Sequence, residues 1–194
     1  MRNTSLSFGL LCGAALCAQT NLRYIENKGQ WPAPVRFKAE APGATIWVEN
    51  GAILLDRYDA QAVARLNAAH AGHADPDASP VIRHHAVRLR FIGANGPARI
   101  EKEGPSNDYF NYFLGADRTH WAARCHAWSR ITMKDLYPGV DLVIHGQGKQ
   151  VKYDLVLEPG VDPSVIAFTY EGADALELRG KDLVVKTALG DLLE

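Results

Sequence analysis

A chain of 194 residues, 47% apolar, with 21 lysines and arginines against 22 aspartates and glutamates for a net charge of −1, is long enough to bury a substantial core and falls in the ordinary globular class. A near-neutral balance without a basic stripe argues against nucleic acid as a partner. Past the first residues, no stretch approaches the roughly 20 apolar residues of a membrane helix.

Residues 1–18 stand apart. Arg2 precedes an apolar run from Leu6 to Leu16, and the small residue Ala18 stands before Gln19, which is the layout of a secretory signal peptide. Cys12 and Cys17 each follow a leucine, an arrangement that argues against lipid anchoring. Removal of the leader takes both cysteines and Arg2 with it. Cys125 is then the single thiol, and 20 basic residues face 22 acidic ones for a charge of −2. With no internal disulfide possible, an exported domain must rely on its hydrophobic core. Cys125 reads as a buried small hydrophobe rather than a nucleophile.

From Asn21 to Ala39 the order reads strand, turn, strand. Pro42-Gly43 turns the chain into Thr45–Glu49, and Asn50-Gly51 is the strongest two-residue hairpin signal, with Ala52–Leu55 as the partner strand. Asp59–Gly72 is alanine-rich, with Asp59 placed to cap and Gly72 to end a short helix. Its narrow apolar face, Val63 and Leu66, suggests a surface helix or insertion. His73–Pro80 reads as loop, and mobility is expected to be greatest over 59–80. His84–Ile92 resumes the two-residue alternation, and Arg99–Glu103 is a weaker strand. Tyr109–Gly115 is an aromatic cluster expected in the core. Trp121–Cys125 and Trp128–Met133 lead into the central hairpin.

That hairpin spans Asp135–Pro163. Tyr137-Pro138-Gly139 suits a type II turn. Val140, Leu142 and Ile144 alternate with Asp141, Val143 and His145, and Val151, Tyr153, Leu155 and Leu157 alternate with Lys152, Asp154, Val156 and Glu158. A turn centred on Gln147-Gly148 sets Val140 against Leu155, Leu142 against Tyr153 and Ile144 against Val151. Short strands at Ser164–Glu171, Ala175–Leu178 and Leu183–Thr187 follow, and Gly190-Asp191 looks like one more turn, so the chain is expected to stop inside an unfinished hairpin. The fold class is all-β: an antiparallel two-sheet sandwich of short strands, with one short helix or insertion near 59–72. Residues 19–194 form a single domain.

Five motifs in order carry a family resemblance: Asn27-Lys28-Gly29-Gln30; Tyr109–Gly115 with Asp117 and Trp121; Asp135–Leu142; Lys152-Tyr153-Asp154; and Pro159–Pro163. From about Tyr24 to Glu194 the chain resembles the domain of unknown function at the N-terminus of large bacterial surface proteins, often ahead of SBBP-type β-propeller repeats. The resemblance implies a β-rich extracellular module in proteins that often end in a type IX secretion sorting tail, and it brings no reaction. The segment Asp59–Pro80 departs from the family, and the lack of repeats after Glu194 suggests a fragment or truncated reading frame.

The expected register also sets Asp141 opposite Asp154, about 5 Å apart at Cβ. Facing carboxylates suit a structural ion pair with Lys152 or Arg130, a Ca²⁺ site, or an acid and nucleophile for glycoside cleavage. They are the only candidate binding residues. His70, His73, His84 and His85 read as solvated, and the four tryptophans as core rather than sugar platforms. No nucleophile elbow, phosphate loop or HExxH motif occurs, so no catalytic residue, metal or cofactor is expected. The expectation is a secreted or cell-surface, non-enzymatic β-module for structure, display or adhesion. Its partners would be other extracellular domains, surface proteins or glycans. The alternative is a glycoside hydrolase-like enzyme or a Ca²⁺-dependent binder using Asp141 and Asp154.

Overall fold

The computed structural model describes residues 4–9 (as backbone), 22–70, 81–95, 99–148 and 150–194. Fourteen strands and one helix follow in chain order: β1 (Thr4–Gly9), β2 (Tyr24–Glu26), β3 (Val35–Ala41), β4 (Ala44–Glu49), β5 (Ala52–Tyr58), α1 (Ala60–His70), β6 (His84–Phe91), β7 (Ile100–Tyr112), β8 (Ala122–Tyr137), β9 (Val140–Gln147), β10 (Gln150–Leu157), β11 (Phe168–Glu171), β12 (Ala175–Arg179), β13 (Asp182–Lys186) and β14 (Leu192–Leu193).

Local turn chemistry builds the first half. Pro42-Gly43 closes β3 on β4 and Asn50-Gly51 closes β4 on β5, with Ala41 opposite Ala44 and Glu49 opposite Ala52. Gly43 and Gly51 both take the left-handed conformation that such two-residue loops require. Along β4 the side chains alternate, with Ala44, Ile46 and Val48 buried and Thr45, Trp47 and Glu49 half-exposed, so one face of this meander is committed to the core. Helix α1 starts where Asp59 Oδ1 accepts the N–H groups of Gln61 and Ala62 at 3.0 Å each. Only Ala62 is buried on it, which makes it the surface helix the sequence suggests. Gly72, and the 71–80 part of the segment expected to be most mobile, lie outside the described residues.

All described strands are antiparallel, but they do not make a two-sheet sandwich. Eleven strands form one sheet in the order β1-β10-β9-β8-β2-β3-β4-β5-β6-β11, with β7 paired to β8, and β12-β13-β14 form a second, small sheet. The large sheet curls into a half-barrel. Across its interior Phe91 of β6 meets Tyr153 of β10 edge-on at 6.2 Å. Ile53, Leu55, Val87, Leu89, Val151, Tyr153, Tyr170 and Leu192 enclose an apolar void of about 10 Å³ there, at the lower limit of what one water fills. The small sheet delivers Val185 and Leu192 to the same core. Arg57 fastens it by donating to Thr187 Oγ1 (3.0 Å) and Gly190 O (2.6 Å).

Strand β8 is the turning point. A second, smaller cluster of Ile25, Trp31, Val35, Ala122, Cys125 and Ala127 packs against Trp47 and Tyr112. Cys125 and Ala127 serve that cluster, whereas Trp128, Ile131 and Met133 serve the main core. The strand therefore rolls over between Trp128 and Ile131. Bulges mark both its ends, where Arg124 (φ 53°) and Asp135 (φ 54°) adopt left-handed backbone and the pairing with β7 and β9 shifts.

The β9–β10 register differs from expectation by two residues. Val140 faces Leu157, Leu142 faces Leu155, Ile144 faces Tyr153 and Gly146 faces Val151. The hairpin closes between Gln147 and Gln150, which face each other, with Gly148 at φ 62°, so the turn is centred one position later than Gln147-Gly148. Gly146 stays in the strand because the chain at Leu22 packs on it; a Cβ there would lie 2.9 Å from Leu22 Cβ. A shift of two keeps every side chain on its face, so alternation alone does not detect it.

Two outcomes check this account. Gly172 has φ +85°, and a Cβ would run into the backbone oxygen of Ala86, whereas Gly180, at φ +67°, faces open space. In urea unfolding, Gly172→Ala is expected to cost well over the roughly 1 kcal/mol of backbone strain that Gly180→Ala costs. The buried Tyr24 hydroxyl has no hydrogen-bond partner among the described residues, so Tyr24→Phe should leave stability unchanged or raise it by up to about 1 kcal/mol.

Candidate binding surface

Asp141 and Asp154 do not face each other. Asp141 is paired across the ladder with Val156, and Asp154 with Val143, which follows directly from the two-residue shift. Each carboxylate has a partner other than the expected Lys152 or Arg130. Asp141 accepts from Lys134 Nζ and from the bulged backbone N–H of Asp135 at 2.9 Å. Asp154 lies 2.9 Å from His145 Nε2. Lys134 is held protonated above the usual lysine range, first by that hydrogen bond. Beside His145 is an open cleft lined by Leu22, Ser129, Arg130 and Gly146, where the Ser129 hydroxyl donates to Glu103 O at 3.3 Å. Among the described residues no three His, Cys, Asp or Glu side chains converge to hold a metal ion.

The Asn27–Gln30 motif is a self-contained turn. Asn27 Nδ2 donates to Trp31 O (3.1 Å) and Val35 O (2.8 Å), while its Oδ1 accepts from Gly29 N (2.9 Å) and Trp31 N (3.2 Å). The buried Gln30 side chain accepts from Lys28 N and donates to Glu26 O. Its role is to set Trp31 into the smaller cluster, edge-on to Trp47 at 5.6 Å and to Tyr112 at 5.0 Å. Cys125 is buried there as expected, and that burial pushes its thiol up.

The hairpin of β7 and β8 is the most unusual surface. The aromatic run expected in the core lies mostly outside it instead: Tyr109 is 54% exposed, Phe113 62%, Leu114 50% and Trp121 37%, with Phe110 also exposed, and Tyr112 alone of the run packs on the smaller cluster. The reason is pairing. Among the described residues strand β7 hydrogen-bonds to β8 alone, and its residues are exposed or half-exposed from end to end, with only Ile100 at its start and Tyr112 at its end leaning on the two cores. At the tip Phe113 meets Trp121 edge-on at 5.4 Å and the Arg118 guanidinium lies 5.2 Å from the Trp121 ring centre. Asp117 caps the single 3₁₀ turn there by accepting from Thr119 N, and Trp121 Nε1 donates to Gly115 O at 3.2 Å. The tip is therefore ordered by its own bonds.

The base of this arm is fixed by Glu26. Burial alone would raise its carboxyl, but the His126 N–H (3.0 Å), Lys102 (3.1 Å) and Lys28 (3.4 Å) outweigh that and hold it below the usual glutamate range. A signal for the arm was present in the sequence: Ile100–Asp108, IEKEGPSND, has no apolar alternation, which marks a strand with neither face buried.

One half-buried acid carried no sequence signal at all. Glu194, paired with Leu183 through both backbone bonds, accepts from Tyr153 Oη (3.1 Å) and from Tyr170 Oη at the edge of the main core. Burial pushes its carboxyl up to about 7, with the Tyr153 bond acting weakly the other way.

The fold is thus that of a curled β half-barrel with one projecting aromatic hairpin. Residues 24–194 match the family described as Domain of unknown function (DUF7948), and the chain belongs to that family. No curated protein and no solved structure matches it.

Because the folded state holds a proton on Glu194 more tightly than the unfolded chain, its contribution is complete below about pH 4.5 and is lost as pH rises through about 7. Thermal melts across that window should fall with pH by up to about 3 kcal/mol of stability, and Glu194→Gln should flatten the slope.

Proposed function

We propose that this chain is a secreted or cell-surface, non-enzymatic β-module that docks another extracellular protein domain through the tip of its β7–β8 hairpin. Its place would be at the N-terminus of large bacterial surface proteins, ahead of SBBP-type propeller repeats. Support comes first from one observation: Tyr109, Phe110, Phe113, Leu114 and Trp121 stand in water on a single hairpin, in a chain whose other long strands bury a full face. Large apolar and aromatic side chains clustered on the surface are what protein partners bury as anchors. The leader pattern of residues 1–18 supports export.

A protein partner is favoured over a sugar. Stacking on a glycan needs an open ring face, and the surroundings of Trp121 are shared by Phe113 and Arg118. The alternatives through Asp141 and Asp154, a hydrolase or a Ca²⁺-dependent binder, would first have to release those carboxylates from Lys134 and His145.

Calorimetric titration of the full chain with a separately purified SBBP-type repeat domain tests the reading. Phe113→Ala and Trp121→Ala should each weaken binding by about tenfold or more and leave the melting temperature within a few degrees, since neither residue is in a core. A glycan-array signal that disappears in Trp121→Ala would replace the protein partner with a sugar, and catalytic turnover lost in Asp154→Asn would remove the non-enzymatic reading.

A further inference from the structure

We propose that the outer edge of β10 is a receiving site for an added β-strand, occupied in the unprocessed chain by the leader and, after processing, by an extended segment of a partner protein. The inference rests on removal of the leader, which belongs to the function proposed above.

Strand β10 pairs with β9 through eight consecutive residues without a register shift. It contains no proline and no bulge, and one lysine, Lys152, is its only cationic side chain. Of the usual protections of a sheet edge it carries only the two charged side chains Lys152 and Asp154. Among the described residues its other side is covered by β1 alone, and β1 consists of residues 4–9, inside the stretch that reads as a leader. The opposite end of the same sheet is guarded differently: β11 is four residues long and runs into the left-handed Gly172.

The β1–β10 ladder is regular over six antiparallel pairs, from Thr4 opposite Leu157 to Gly9 opposite Lys152. Leu6 and Phe8 take the register positions opposite Leu155 and Tyr153, both buried on β10, while Ser5 and Ser7 take those opposite Val156 and Asp154. This pattern sets the chemistry of the occupant: an extended peptide with apolar residues at alternate positions and small hydroxyl residues between. Main-chain bonds to the edge would supply affinity and the alternate apolar positions would supply register. The fold keeps its anchor when the leader leaves, because Leu22, the first buried residue beyond it among those described, packs on Gly146 at the end of β9.

The test uses the full chain with a protease site inserted after Thr20, cut once folded and freed of the released leader. A fluorescent peptide of residues 3–10 is then added and anisotropy is read. Saturable binding by the cut chain, no binding by the uncut chain, and loss of binding when the peptide carries Leu6→Pro are expected. If cutting unfolds the protein, as circular dichroism would show, the uncut chain bearing Leu6→Pro makes the same measurement, with its β10 edge opened in place. Equal signals from cut and uncut chains, undiminished binding of the proline peptide, or no binding at all overturn the proposal. A cut chain that sediments as a dimer without peptide would name a second copy as the occupant and overturn the choice of partner. N-terminal sequencing of the exported protein reads leader removal separately: an intact Met1 alongside peptide capture by the cut chain would sink the secretion reading while leaving the edge's capacity standing.

Discussion

One strand holds two hydrophobic clusters together. β8 gives Cys125 and Ala127 to the cluster around Trp31, then rolls and gives Ile131 and Met133 to the main core. A strand that changes faces within four residues strains its ladders, and the structure absorbs this at fixed points. Gly104 of β7 takes φ +60° beside Ser129, where any side chain would collide. Asp135 takes a left-handed bulge whose N–H and C=O are both satisfied, by Asp141 and by Asn95 Nδ2. Asp141 is thus more than a charge on a sheet, since it accepts the one backbone donor that the bulge turns away from the ladder.

The hairpins were legible because each rests on local chemistry. Pro42-Gly43, Asn50-Gly51 and Pro138-Gly139 are short-range signals, and all three close their strands as the sequence predicts. What was not legible is non-local. Alternation assigns faces but is blind to a register shift of two, so a turn that sets Gln147 opposite Gln150 moved Asp154 away from Asp141. Strand signals also do not say which edges join, and a sheet curling on itself presents the same alternation as two sheets stacked. The aromatic run from Tyr109 failed for a related reason. Hydrophobicity argues for burial only where a second layer exists to bury against, and along β7 only Ile100 and Tyr112 reach one.

Electrostatics here is mostly tethering rather than chemistry. Arg88 bonds Glu49 at 2.9 and 3.2 Å, and Arg90 bonds Glu171 at 2.5 and 3.2 Å, lacing β4, β6 and β11 along the outer face. Such half-exposed pairs contribute little each, but they fix strands laterally where no side-chain core exists. Glu26 does the same at the root of the projecting arm, tying β2 to both strands of the hairpin. The arm is held at its root by Glu26 and further along by Tyr112 against Trp31 and Lys28 on Arg124 O, and its tip carries the apolar load.

The enclosure of Cys125 has a consequence for how this protein could be watched at work. In a chain freed of its leader the one remaining thiol is buried in the cluster that holds Trp31, against Tyr112, so a thiol reagent reacts only with molecules whose smaller cluster has opened. The labelling rate then reports the opening of that cluster, whether it opens locally or together with the larger core carried by the same strand.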